Sequence, residues 1–129
     1  MDELPAGLEW LAWRRDDGPP TPDAVRRRLR AEGVEPYAWS NGPDDSYGMH
    51  EHGYTKLLMC AEGSITFLVG PKSTRVELAP GEGFVLPAGV SHAAIVGARG
   101  CTCLEGTRPR MLALHLPGAL LKPWFGPRE

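Results

Sequence analysis

Between residues 34 and 116 the chain never sustains a helical period. Short β-prone runs follow one another: VEPYAWS, TKLLMCA, SITFLVG, TRVELAP, GFVLPAG, HAAIVGA, CTCLEGT and MLALHLP. Gly and Pro separate them at roughly the 8–12-residue spacing of a sandwich or small barrel. This punctuation constrains the fold more than any other feature, because each run suits one strand and none has the length of a helix. The 16 glycines and 13 prolines supply the turns. An all-β domain is expected, and 129 residues are enough to bury one core without staples. We divide the chain into an N-terminal arm and helix (1–33), a barrel (34–116) and a tail (117–129) packing on the barrel or a partner.

One short helix is expected at 21–33. Thr21 suits the N-cap, Pro22 the first helical position, Asp23 the positive end of the dipole, and Gly33 the stop. Val25 and Leu29 define a narrow apolar stripe, and the run Arg26 to Arg30 reads as a solvated face. Before it, Trp10 and Trp13 argue against a disordered arm.

A net charge of −2 gives no ground for a nucleic-acid or membrane partner. No apolar stretch is long enough to span a bilayer. The acidic opening, MDELPAGLEW, lacks the basic and apolar regions of a signal peptide, so a cytoplasmic location is expected. Cys60, Cys101 and Cys103 are an odd number of cysteines, which favours free thiols. They read as small apolar barrel-fillers, ahead of ligands or redox groups.

The stretch GMHEHGYTK carries the chemistry. His50, His52 and Lys56 share parity, so in a strand they face one side. His92 follows forty residues after His52. A closed barrel converges such distant strands. Three inward imidazoles would make a facial set with open positions, suited to Fe(II), Zn(II), Mn(II), Ni(II) or Cu(II). His115 reads as an ordinary strand residue. Tyr47 and Tyr54 flank the histidines, either packing or placing hydroxyls at the mouth. Leu58, Phe67, Leu68, Phe84, Val85, Leu86, Ile95 and Val96 are taken as core or pocket wall.

These residues resemble the two motifs of the cupins. In the first motif, His50 and His52 are followed by Lys56 and Gly63 at the motif's spacing, with the upstream glycine displaced to Gly48. In the second, Gly81, Pro87, Gly89 and His92 all match, and Val96 replaces the final Asn. The resemblance covers 48–96 and extends through the β texture to about 116. It implies a small antiparallel jelly-roll barrel, a metal held by His50, His52 and His92, and homodimers. Trp10, Trp13, Trp124 and Phe125 are candidate interface anchors.

Lys56 departs from the motif, which has a carboxylate ligand there. An ammonium beside a dication costs several kcal/mol even at an effective dielectric of about 20. Three outcomes stay open. Lys56 swings aside or deprotonates; it pairs with a carboxylate near the metal; or no metal binds and it faces an anionic ligand. Glu105 is the candidate partner, although strand parity also allows it to lie outside in water. Tyr54, Lys56 and Glu105 are thus candidate pocket residues, with Lys56 a candidate catalytic group. The resemblance implies a dioxygenase, isomerase or decarboxylase of a small organic acid. The alternative is a non-catalytic module binding or sensing an anionic ligand.

Overall fold

The computed structural model describes residues 4–5 and 7–108. Seven strands and one α-helix run in the order β1 (Glu9–Leu11), α1 (Pro22–Arg30), β2 (Tyr37–Asn41), β3 (Ser46–His50), β4 (Lys56–Val69), β5 (Thr74–Leu78), β6 (Gly83–Leu86) and β7 (His92–Thr107), with a 3-10 turn at Arg15–Asp17. All pairings are antiparallel, along the path β1-β6-β4-β7-β2, with β5 on β4 and β3 on β7. The expected all-β jelly-roll barrel is the fold observed.

β4 and β7, of 14 and 16 residues, form its spine. Each changes partner along its length. β4 pairs with β6 over Lys56 to Met59 and with β5 over Ile65 to Val69. β7 pairs with β3 from His92 and with β2 from Cys101 to Glu105. Between these halves the β4–β7 register shifts at Cys60/Glu62 and again at Gly63/Ile65. Bulges of this kind bend a strand and re-aim its side chains. Gly63 is required at this corner: its φ is +73°, and a Cβ there would lie 2.0 Å from the Gly100 carbonyl oxygen.

Two apolar clusters flank the spine. Leu58, Cys60, Ile65, Phe67, Phe84, Leu86, Ala94, Val96, Cys101 and Cys103 belong to the cluster inside the barrel. Leu57, Met59, Ala61, Val85 and Leu104 face outward and pack with Val25, Leu29 and Val34. Lys56 through Ala61 are therefore buried on both faces, which explains why TKLLMCA shows no polar alternation. Val85 is thus buried outside the barrel, in the cluster that also holds Leu11, Val25 and Leu29. Leu68 is partly buried and Ile95 is 45% exposed, so these two are not the pocket wall the sequence suggested.

The helix begins as expected. Thr21 accepts from the Ala24 amide at 3.1 Å, and Val25 and Leu29 are fully buried. Arg28 is not on a solvated face. It is buried, donates from Nε to the Ala12 carbonyl (2.8 Å) and pairs with Glu32 (2.7 Å), tying the arm to the helix. The arm itself adds an edge strand, with Trp10 opposite Phe84 of β6. Trp10 and Trp13 pack against this chain's own two clusters. His115, Trp124 and Phe125 lie outside the described residues. Among the described residues no helix is long and apolar enough to cross a membrane.

Candidate functional site

The two motifs meet across β3 and β7. After a register shift beyond Tyr47, His50 stands opposite His92. His52 and Tyr54 lie in the segment leading into β4. That segment is stitched to the turn before β7: the Gly89 amide donates to the His52 carbonyl (2.8 Å), and the Ala88 amide to Thr55 Oγ1 (3.2 Å). Gly89 has a φ of +79°, the left-handed conformation that glycine adopts without strain.

One ring nitrogen from each of His50, His52 and His92 lies within 4.8 Å of the others. Ring centroids are 4.2 Å apart for His50–His92, 4.9 Å for His50–His52 and 5.2 Å for His52–His92. His50 is exposed at the rim, His52 half-buried and His92 buried. Nδ1 of His50 contacts the Gly48 carbonyl at 2.7 Å, and Nδ1 of His92 the Val90 carbonyl at 3.0 Å. A carbonyl only accepts, so each Nδ1 carries the proton and donates, leaving Nε2 as a free lone pair.

Nε2 of His52 and Nε2 of His92 are buried without any hydrogen-bond partner. Such orphaned acceptors are rare in native interiors and require an explanation. A divalent transition metal supplies one, because converging neutral imidazoles are its ordinary ligands. Burial, aided by Lys56, lowers His52 below the usual imidazole value. Burial also pushes His92 down to about 4, with the His50, Lys56 and His52 charges acting in the same direction. Lys56 therefore helps hold two imidazoles in the form that ligates.

The histidines open into a pocket of about 350 Å³, also lined by Tyr37, Trp39, Tyr47, Tyr54, Lys56, Phe67, Ala94 and Glu105. Of the three outcomes for Lys56, the structure displays the carboxylate pair. Its Nζ lies 3.3 Å from both oxygens of Glu105, and both residues are buried. Glu105 also accepts from the Tyr37 hydroxyl and from Trp39 Nε1, each at 2.9 Å. Every charge in this group is met by hydrogen bonds, the condition under which a buried ion pair is tolerated. Tyr37 is pushed up to about 12, first by burial and then by the Glu105 charge; Tyr54 is raised by the same two causes. The Tyr54 ring lies 4.9 Å from His52.

Sequence reasoning missed Tyr37 and Trp39. They lie two apart in VEPYAWS, and a half-buried indole N–H needs an acceptor, which is the signal that could have pointed from Trp39 to Glu105. Tyr47 lines the pocket, and its hydroxyl donates to Asn41.

Fold and site together define a cupin. The chain belongs to the family described as the AraC-like ligand binding domain, whose model matches residues 33–121. No curated protein matches the sequence. Among solved structures it is similar to the QdtA 3,4-ketoisomerase of Thermoanaerobacterium thermosaccharolyticum, solved in complex with TDP (20% identity, 57% of this chain and 58% of that one, TM-score 0.50). It is similar to a chain from the structures of the DMSP lyases RdDddP and RnDddQII (25%, 58% and 38%, 0.53). It is also similar to the Drosophila melanogaster CENP-C cupin domain (10%, 57% and 59%, 0.53). The chain spans less than two thirds of the length of each of these three.

Proposed function

We propose that this chain is a metal-dependent cupin acting on a small organic acid, with His50, His52 and His92 holding an Fe, Zn, Mn or Ni ion. The observation that carries the reading is the pair of buried, partnerless Nε2 atoms within the three-histidine cluster. When bound, such an ion supplies Lewis acidity and, if it is iron, redox chemistry of the dioxygenase type.

The chain's own residues do the rest. His50 and His92 are oriented by their Nδ1–H bonds to Gly48 and Val90. Lys56, steadied by Glu105, keeps donor capacity for a substrate carboxylate or carbonyl oxygen, since an ammonium has three N–H groups. Tyr37 and Trp39 hold Glu105 still, so the lysine has one position. Trp39, Phe67 and Ala94 supply apolar wall that limits water around the reacting oxygen. An isomerase or lyase reaction needs a polarised oxygen and a positioned proton donor. Barrels of this shape hold a ketoisomerase and a DMSP lyase.

A second reading is ligand binding without turnover, favoured by the family's description as a ligand-binding domain. Lys56 then engages an anionic ligand in the place of a metal. Elemental analysis of the purified protein separates the two, repeated on a His50→Ala/His92→Ala double variant. Near one metal per chain, lost in the variant, is the expected result. A wild-type protein that stays metal-free after reloading removes the first reading. Carboxylate ligands would then be screened by thermal shift.

A further inference from the structure

Three thiols sit together where β4 and β7 change partners, and the proposed metal chemistry uses none of them. Cys60, Cys101 and Cys103 are all free and buried in the interior cluster. Cys60 stands directly opposite Cys103 in the β4–β7 register. The backbone of Cys60 is turned the other way: its amide donates to the Glu82 carbonyl and its carbonyl accepts from the Gly81 amide, each at 2.9 Å. Cys60 and Cys103 are therefore a non-hydrogen-bonded cross-strand pair. Such pairs bring their Cα atoms to about 4.5 Å, the closest approach in an antiparallel ladder. That lies inside the roughly 4.4–6.8 Å that a disulfide spans.

We propose that Cys60 and Cys103 are an oxidisable dithiol that closes into an intrachain cross-strand disulfide when the protein meets a peroxide. The two thiols share one hydrogen bond, so they are within reach of one another as well as in register. Hydrogen bonding with Cys103 lowers Cys60 against burial, while its S–H donates to the Glu62 carbonyl at 3.3 Å. Cys103 is raised, by the same bond to Cys60 and by burial. The Cys60 thiolate attacks one peroxide oxygen, the O–O bond breaks, and water leaves once the departing oxygen is protonated. The sulfenic acid on Cys60 is then attacked by the Cys103 sulfur, releasing a second water. Two thiols and one hydrogen peroxide give one disulfide and two waters, the sulfurs losing the two electrons that the peroxide gains.

The location gives the bond a consequence. Cys103 lies opposite Trp39 and two residues before Glu105, on the same interior face. Closing the disulfide cross-links the two strands that carry Lys56 and Glu105.

The test uses the reduced, chelator-treated full chain, so that bound metal plays no part in the oxidation and the outcome does not depend on the metal reading. Hydrogen peroxide is added, and thiols are then counted in denaturant. The expected result is a fall from three thiols to one, with an intact mass lower by roughly 2 Da. Cys60 lies in the tryptic peptide 57–72, while Cys101 and Cys103 share the peptide 100–110. A Cys101→Ser variant identifies the partner, since it retains the linked peptides only if Cys103 is bonded. Three free thiols after treatment, added oxygen without the mass loss, a disulfide between chains, or loss of the link in Cys101→Ser would each overturn the proposal.

Discussion

Two regions share one pocket and manage polarity in opposite ways. Around Glu105, every polar group is satisfied: the carboxylate takes Lys56, Tyr37 and Trp39. At the histidines, two buried ring nitrogens have no partner. Unpaired buried polar groups cost free energy, so the folded chain stores its debt at one end of the pocket and not at the other. The Glu105 group is internally complete, with each of its polar atoms paired inside the chain, whereas the histidine cluster leaves lone pairs that the proposed metal would take up.

The largest effect should come from breaking the satisfied region. Glu105→Ala strands a buried ammonium and two donors, and should cost about 3 kcal/mol in a denaturant titration. A Lys56→Met/Glu105→Leu pair should recover most of that loss, because no buried charge is left. A double variant as unstable as Glu105→Ala would show that the network, rather than the lone charge, is what matters.

The unsatisfied region should answer in metal affinity. His92→Ala removes a candidate ligand and should weaken binding, by titration calorimetry, beyond the roughly 10- to 100-fold typical of losing an outer partner. The apo protein should tolerate it better than Glu105→Ala, since a buried orphan atom leaves with the ring. A variant with unchanged affinity would remove His92 from the site.

A third effect follows from pH. His92 titrates at about 4 in the folded chain and near its ordinary 6.5 when unfolded. Between those values the unfolded chain binds more protons, so stability rises with pH across the window. Apo-protein stability should be full above about 6.5 and fall as the pH drops toward about 4, with His52 adding in the same direction. Urea midpoints across that range make the check, and a flat profile would mean that His92 is not held neutral by burial. The smallest effect belongs to Tyr37→Phe. It removes one hydrogen bond to Glu105 from a ring that is 56% exposed, and should cost about 1 kcal/mol.

Much of this was legible from local pattern. The Thr21 cap and the Gly81, Pro87 and Gly89 turn residues are short-range signals, and each reappears in the fold. His50 and His52 line one pocket, although β3 ends at His50 and His52 lies beyond it, so strand alternation is not what brings them together. Arg28 was misread because its partners, the Ala12 carbonyl and Glu32, give a buried position that a run of arginines does not advertise. Ile95 was misread because an apolar residue in a strand need not face inward. Tyr37 and Trp39 were missed because their acceptor, Glu105, is 68 and 66 residues away.

What the sequence determined by itself is the barrel and the meeting of three histidines, since turn residues and motif spacing act over a few positions. What only the tertiary structure decided is the fate of Lys56. Side chains alternate along a strand, so Lys56, Leu58 and Cys60 share one face with Ile65, Phe67 and Val69 only because the chain slips register between them. On β7 the interior residues change from His92, Ala94 and Val96 to Cys101, Cys103 and Glu105, because five residues of β7 pass while β4 advances two. That offset turns an odd-numbered carboxylate toward an even-numbered lysine. A bulge shifts parity by one residue, and here it turns a lone buried lysine into one half of a neutral pair in the pocket that the three histidines share.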